Sequence, residues 1–222
     1  LAYAGARQTS VFAVRTVDVR GGTPVLRAQV RAALRDTLGL SLLRVDGGTV
    51  TSAVAPIPGV RTFSFDRSFP HTLRIVVRPE RPVLVLRRGA DAYLVAATGR
   101  VLRTLAHPRL SSLPRLWAPR DAKLAVGATL PPELAAGATA LAATRGAALP
   151  TGVHEVRTHK ELTFVLGSGF ELRLGEVGDL RLKLAIARRI LAQTGAALGG
   201  TGYLDVSVPL RPVLSTVPQV AG

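Results

Sequence analysis

Residues 67–83 read R-S-F-P-H-T-L-R-I-V-V-R-P-E-R-P-V, and the chain is laid out on either side of them. Leu73, Ile75 and Val77 alternate with Arg74, Val76 and Arg78, the period-two pattern of a strand with one face on a core. Pro70 stands before the run, while Pro79 and Pro82 close it because neither can donate to a ladder. The stretch therefore reads as the last strand of one small domain and a joint into the next. Pro79, Glu80, Arg81 and Pro82 form the expected hinge.

Outward toward the N-terminus, residues 1–10 read as linker. Phe12, Val14, Val17 and Val19 alternate imperfectly and give a first strand, ended by Gly21 and Gly22. Thr23 is a helix cap, and Pro24 suits the first helical position, where its missing N–H costs little. Leu26, Val30, Leu34 and Leu38 then recur at four-residue steps toward a stop at Gly39, with Arg27, Arg31 and Arg35 on an adjoining stripe. Asp46 caps a second, short helix with Val50 and Val54 inward, ended by Pro56 and Pro58. Residues 60–66 form a strand carrying Phe63 and Phe65 on one face. Strand, helix, helix, strand, strand is a compact α+β unit.

Outward toward the C-terminus the pattern is mostly β. Residues 83–87 and 93–97 flank a turn at Gly89, Ala90 and Asp91, and Val101 and Leu102 resume after Thr98 and Gly99. Pro131 and Pro132 open an Ala-rich helix to about Arg145, weakened by Gly137. Residues 153–158, 162–166 and 170–174 are strands, the last two joined by a hairpin turn at Gly167, Ser168 and Gly169. Asp179 caps a helix with Leu180, Leu184, Ala187 and Leu191 on one face and Arg181 and Arg188 on the other. Residues 203–208 are a last strand, with Tyr203, Asp205 and Ser207 on one side and Leu204, Val206 and Val208 on the other.

Composition limits the function. The chain has 222 residues, 47% of them hydrophobic, enough for packed cores. With no cysteine there is no disulfide, thiolate nucleophile or cysteine metal site. The formal charge of +15 is spread evenly, +8 over residues 1–99 and +7 over the rest, and only Lys123, Lys160 and Lys183 are lysines. Aromatic residues make up 5%, too few for base-stacking platforms, so a solvated surface is favoured over nucleic-acid binding. No run of about 18 apolar residues occurs, so no transmembrane helix is read in this chain. His154-Glu155 and His159 lack the i, i+4 helical spacing of a zinc protease and read as exposed histidines. No nucleophile elbow and no carboxylate pair with acid–base spacing is present. The expectation is no catalytic residue, no cofactor and no metal.

The spacing of Val17, Val19, Gly21, Val45-Asp46, Val50, Pro58-Gly59-Val60, Asp66-Arg67, Phe69-Pro70, Thr72-Leu73, Ile75, Val77 and Pro82-Val83 resembles the extracytoplasmic part of the FtsQ/DivIB cell-division family. Leu113-Pro114-Arg115-Leu116, the run from Gly178 to Leu184, and Tyr203-Leu204-Asp205-Val206 extend the likeness. Two departures are visible. The family's V-x-E-R-x-P becomes Val77-Arg78-Pro79-Glu80-Arg81-Pro82, and its acid after L-V is Ala96 here.

The resemblance implies a POTRA domain (β-α-α-β-β) at residues 11–82, a mostly β domain with two helices at 83–214 and a tail at 215–222. It implies a non-enzymatic divisome scaffold in the cell membrane at the septum, single-pass, anchored by a transmembrane helix outside this chain. FtsB/DivIC- and FtsL-type proteins would be its partners. The implied partner surface is an edge strand at Tyr203, Leu204, Asp205, Val206, Ser207 and Val208, with Leu210, Arg211, Arg181 and Arg188 beside it. Two alternatives are a POTRA-bearing polypeptide-transport component and a binder of anionic polymer or nucleic acid.

Overall fold

The computed structural model describes residues 10–108, 111–145, 149, 151–194 and 202–215. The expected linker and tail, apart from Ser10 and Ser215, lie outside the described residues. The chain divides into two compact units, Leu1–Arg81 and Pro82–Gly222.

The first unit contains β1 (Thr16–Arg20), α1 (Pro24–Ala33), α2 (Gly47–Val54), β2 (Val60–Ser68) and β3 (Thr72–Pro79), in the expected strand–helix–helix–strand–strand order. β3 lies in the middle of the three-stranded sheet, parallel to β1 and antiparallel to β2. Leu73, Ile75 and Val77 are buried against Val17, Val19, Leu26, Val30, Val50 and Val54, while Arg78 and Val76 stay exposed. Both helix starts are fixed locally. The Leu26 N–H donates to Thr23 Oγ1 at 3.2 Å, and the Thr49 N–H donates to Asp46 Oδ1 at 2.6 Å. That second bond, from the Thr49 backbone, holds the Asp46 carboxyl below its usual range.

The first helix is shorter than its four-residue spacing predicts. It ends at Ala33, and a 3-10 turn, Arg35–Thr37, carries the chain on. Thr37 is buried and its hydroxyl donates to the Leu34 carbonyl at 2.6 Å, closing the turn in place of another helical bond. The tighter winding takes Leu38 off the core stripe and leaves it exposed. Gly21 follows β1 at φ +82°, and a Cβ there would collide with the Val77 carbonyl oxygen. Only glycine lets the two strands meet at this end.

The second unit holds β4 (Pro82–Arg88), β5 (Asp91–Ala96), β6 (Val101–Thr104), β7 (Arg115–Trp117), α3 (Pro132–Thr144), β8 (Val153–Arg157), β9 (Leu162–Leu166), β10 (Glu171–Gly175), α4 (Leu180–Thr194), β11 (Tyr203–Asp205) and β12 (Val213–Ser215). They form one sheet in the order β12-β11-β10-β9-β8-β7-β4-β5-β6. The pairs β4–β7, β7–β8 and β10–β11 are parallel. The helices supply the crossovers that parallel neighbours require, α3 between β7 and β8 and α4 between β10 and β11. Leu86, Leu116, Val156, Phe164, Leu172 and Leu204 share a core with Leu134, Leu141, Leu184 and Leu191 of the helices.

Two local readings change, and one strand ends a residue early. Gly137 is a contact point and not only a weak spot in its helix. A Cβ there would sit 3.1 Å from Val156 Cγ1 and 3.4 Å from Leu116 Cδ2, so its bare backbone lets α3 press onto the sheet. Asp179 has φ 54°, unlike the extended backbone of a side-chain cap, and contributes its carbonyl to the Lys183 N–H at 3.0 Å. β8 stops at Arg157, so His159 lies in the following turn, next to Lys160 at φ 67°.

Two outcomes test these assignments. Gly137→Val should destabilise the second unit by about 1–3 kcal/mol through overpacking, measured by urea denaturation. Asp46→Ala should melt below the unsubstituted protein at neutral pH. Asp46 has a depressed folded pKa, so its contribution is present above the unfolded pKa and is lost as pH falls through the folded one. The gap between the two melting temperatures should therefore close in acid, and a gap independent of pH would refute the cap.

Candidate partner-binding site

The two ends of the large sheet are unlike. At the β6 end the adjoining loop bonds the start of the outer strand: the Val101 N–H donates to the Ala128 carbonyl at 2.9 Å, Gly127 N–H to the Val101 carbonyl at 2.8 Å, and Leu130 N–H to the Gly99 carbonyl at 2.9 Å. At the other end β12 pairs antiparallel with β11, and among the described residues no strand covers its outer side. Exposed backbone donors and acceptors on a sheet edge favour strand addition.

This geometry corrects the expected edge. β11 has neighbours on both sides, Glu171 facing Tyr203 in β10 and Ser215 facing it in β12. The outer strand is Val213–Ser215, reached through the turn in which the Arg211 N–H donates to Val208 O at 3.0 Å. The regular strand also ends at Asp205. There the carboxylate accepts the Ser207 N–H at 2.8 Å, a local turn that competes with the ladder.

The predicted site residues separate by burial. Leu204 and Val206 are in the core, and the Val206 N–H is spent on the Arg173 carbonyl at 2.9 Å, so neither side chain can meet a partner. Tyr203, Asp205 and Ser207 are half-buried, while Arg181, Arg188 and Arg211 are exposed. Val208 is exposed too, and Leu210 reaches 93% exposure. Val213 and Leu214 add apolar surface on β12 itself. Of the expected hinge, Pro79 ends β3, the Glu80 N–H donates to Gly59 O at 2.8 Å, and Pro82 opens β4 opposite Ala96.

Two features escaped sequence reasoning. The first is an ionic ladder on the sheet face away from the helices. Arg157 bridges Glu155 at 2.8 Å and Glu171 at 2.7 Å, and Arg173 bridges Glu171 at 3.3 Å. The Arg173 guanidinium also lies 3.9 Å from the Tyr203 ring centroid. The ladder spans β8 to β11 and holds Tyr203 beside the outer strand; the alternation Glu171-Leu172-Arg173-Leu174 was its signal. The second is Lys183, buried on the inner side of α4. Its Nζ donates to the Leu174 carbonyl at 2.9 Å and the Glu176 carbonyl at 2.8 Å, at the end of β10. Nearby, a Cβ on Gly175 would lie 2.7 Å from Ser207 Cβ, so β10 and the segment after β11 are in close contact. Lys183→Met should leave both carbonyls without their donor and cost the second unit about 2 kcal/mol or more, measured by denaturant unfolding.

Comparison with known proteins gives consistent matches. Residues 12–79 match the POTRA domain of FtsQ type, and residues 84–207 match the C-terminal domain of cell division protein FtsQ/DivIB. The chain is 27% identical to cell division protein FtsQ of Streptomyces venezuelae, over 92% of this chain and 74% of that protein. It is 28% identical to FtsQ of Streptomyces collinus, over 93% and 79% respectively. FtsQ of Mycolicibacterium smegmatis is 32% identical over 61% of this chain and 42% of that one. The major extracytoplasmic domain of the cell division protein DivIB from Geobacillus stearothermophilus aligns at 14% identity and a TM-score of 0.32, over 54% of this chain and 98% of that domain.

Proposed function

The chain belongs to the FtsQ/DivIB family of cell-division proteins, and on that premise we propose that it is a non-enzymatic scaffold that captures bitopic partners of FtsB/DivIC and FtsL type outside the cytoplasm and links early to late division proteins. The observation that carries the proposal is the unequal treatment of the sheet ends, with Val101 at the start of β6 bonded through both its N–H and its carbonyl by the neighbouring loop and no strand beside β12 among the described residues. A partner strand adding beside Val213 and Leu214 extends the ladder by backbone bonds that need no particular partner sequence. Leu210, Val208 and Val213 offer apolar contact, and Arg181, Arg188 and Arg211 offer charge-assisted bonds to carboxylates.

In this reading residues 11–82 and 83–214 work as separate modules, the first contributing localisation and contacts with other division proteins and the second partner capture. Pro79, Glu80, Arg81 and Pro82 form the joint between them. The protein is held at the membrane of the division septum by a helix outside this chain.

The decisive experiment is a binding titration with the extracytoplasmic segment of an FtsB/FtsL-type protein. Leu210→Asp combined with Val213→Asp should weaken binding by about tenfold or more. Both side chains are exposed, so the melting curve should not move. Undiminished affinity in that variant, with the same melt, would overturn the proposed surface.

A further inference from the structure

The large sheet of the second unit grows in two directions from β4, with β5 and β6 on one side of it and β7, β8 and the rest on the other. β4, β7 and β8 run parallel, and where strand order reverses in such a sheet the carboxyl ends of the strands border a crevice. Here it is a cleft of about 900 Å³, walled by Trp117 and Pro119 at the end of β7, by Thr158, His159 and Lys160 after β8, and by Pro131 before α3. Its walls are held in place. The Ala118 N–H donates to Arg87 O at 2.8 Å, Arg88 Nη1 to Ala122 O at 2.9 Å, and the Glu161 N–H to His159 O at 2.9 Å. The Arg87 guanidinium lies 5.5 Å from the Trp117 ring centroid, yet Trp117 remains 52% exposed.

We propose that this cleft binds a proline-rich segment of another protein in the polyproline II conformation. Such a segment presents apolar pyrrolidine rings and a row of carbonyls without N–H groups to match them, so its receptor needs an aromatic surface and unspent donors. The cleft has both. The Trp117 indole N–H, the Thr158 hydroxyl, the His159 ring and the Lys160 ammonium make no hydrogen bond or ion pair among the described residues. Pro119 and Pro131, both exposed, add rigid apolar surface to the same cleft. Charge does not select the ligand. In or next to the lining, exposed Asp121, Glu133 and Glu161 are offset by Arg120, Lys123 and Lys160, and Glu155 pairs with Arg157 at 2.8 Å, while Arg87 is spent on the ring. A β-strand ligand is disfavoured, because β7 lies between β4 and β8, and β8 between β7 and β9, so neither has an edge to extend. The inference does not rest on partner capture at β12.

Trp117 is the only tryptophan in the chain, so its emission reports on the cleft. Titrating the full chain with acetylated, amidated decaproline should shift that emission saturably, and added salt should leave the affinity unchanged because the probe is uncharged. A glycine–serine peptide of the same length, capped in the same way, should not bind. By calorimetry, Trp117→Phe keeps a ring but removes the N–H and should weaken binding about fivefold. Trp117→Ala should weaken it by about tenfold or more. The side chain is half exposed, so both variants should melt with the unsubstituted protein. An unmoved emission with decaproline, equal binding of the glycine–serine peptide, or full affinity in Trp117→Ala would overturn the proposal. So would a saturable emission change with cellotetraose and none with decaproline, which would make the cleft a saccharide site.

Discussion

The first unit depends on a single alternation. Leu73, Ile75 and Val77 are driven under one face of β3 because burying their side chains removes apolar surface from water, about 1.5–3 kcal/mol each. The opposite face keeps Arg74 and Arg78, with Arg74 Nε 3.5 Å from the Asp18 carboxylate of β1. A one-residue slip would put three arginine-side positions into the core, so the register with β1 and β2 is fixed by the pattern itself. Around this strand the rest is local detail: Thr23 and Asp46 decide where helices begin, and Gly21 allows β1 to close on the end of β3.

In the second unit the controlling constraint is distance. Leu116 and Val156 lie on neighbouring parallel strands under α3, and the helix can approach them only where it has no side chain, at Gly137. The helices then cover one face of the sheet, leaving β8 to β11 to satisfy the other with arginine–glutamate pairs. Such exposed pairs contribute little stability individually. Their effect here is positional, since the same arginine that pairs with Glu171 also packs over Tyr203 next to the outer strand.

Features set by neighbours in sequence were legible; those set by neighbours in space were not. The caps at Thr23 and Asp46 and the alternation in β3 follow from residues a few positions apart. Leu38 fits the helical repeat, yet a buried Thr37 ends that repeat one turn early. Residues 203–208 alternate as a strand should, but alternation carries no information about which strand lies outside. The pairing of Val213–Ser215 with β11 is a contact between short segments that the sequence does not announce. Gly137 reads as a poor helix former because propensity ignores what the helix rests on. Lys183 is a charge beside Ala187 on the buried stripe of its helix, and only the end of β10, which supplies two carbonyls for its ammonium, accounts for it.

The placement of β1 beside β3 has a mechanical consequence. The two run parallel, with Thr16–Arg20 in register against residues 72–76. The chain comes in at the first end of β1 and goes out from the last end of β3. A pull between those points slides the strands along one another, so the ladder bonds are loaded together and do not peel apart in turn. Yielding under such a load is governed by the unfolding barrier and not by equilibrium stability. A unit wired in this way behaves as a stiff link under tension, able to carry force between whatever holds its two ends.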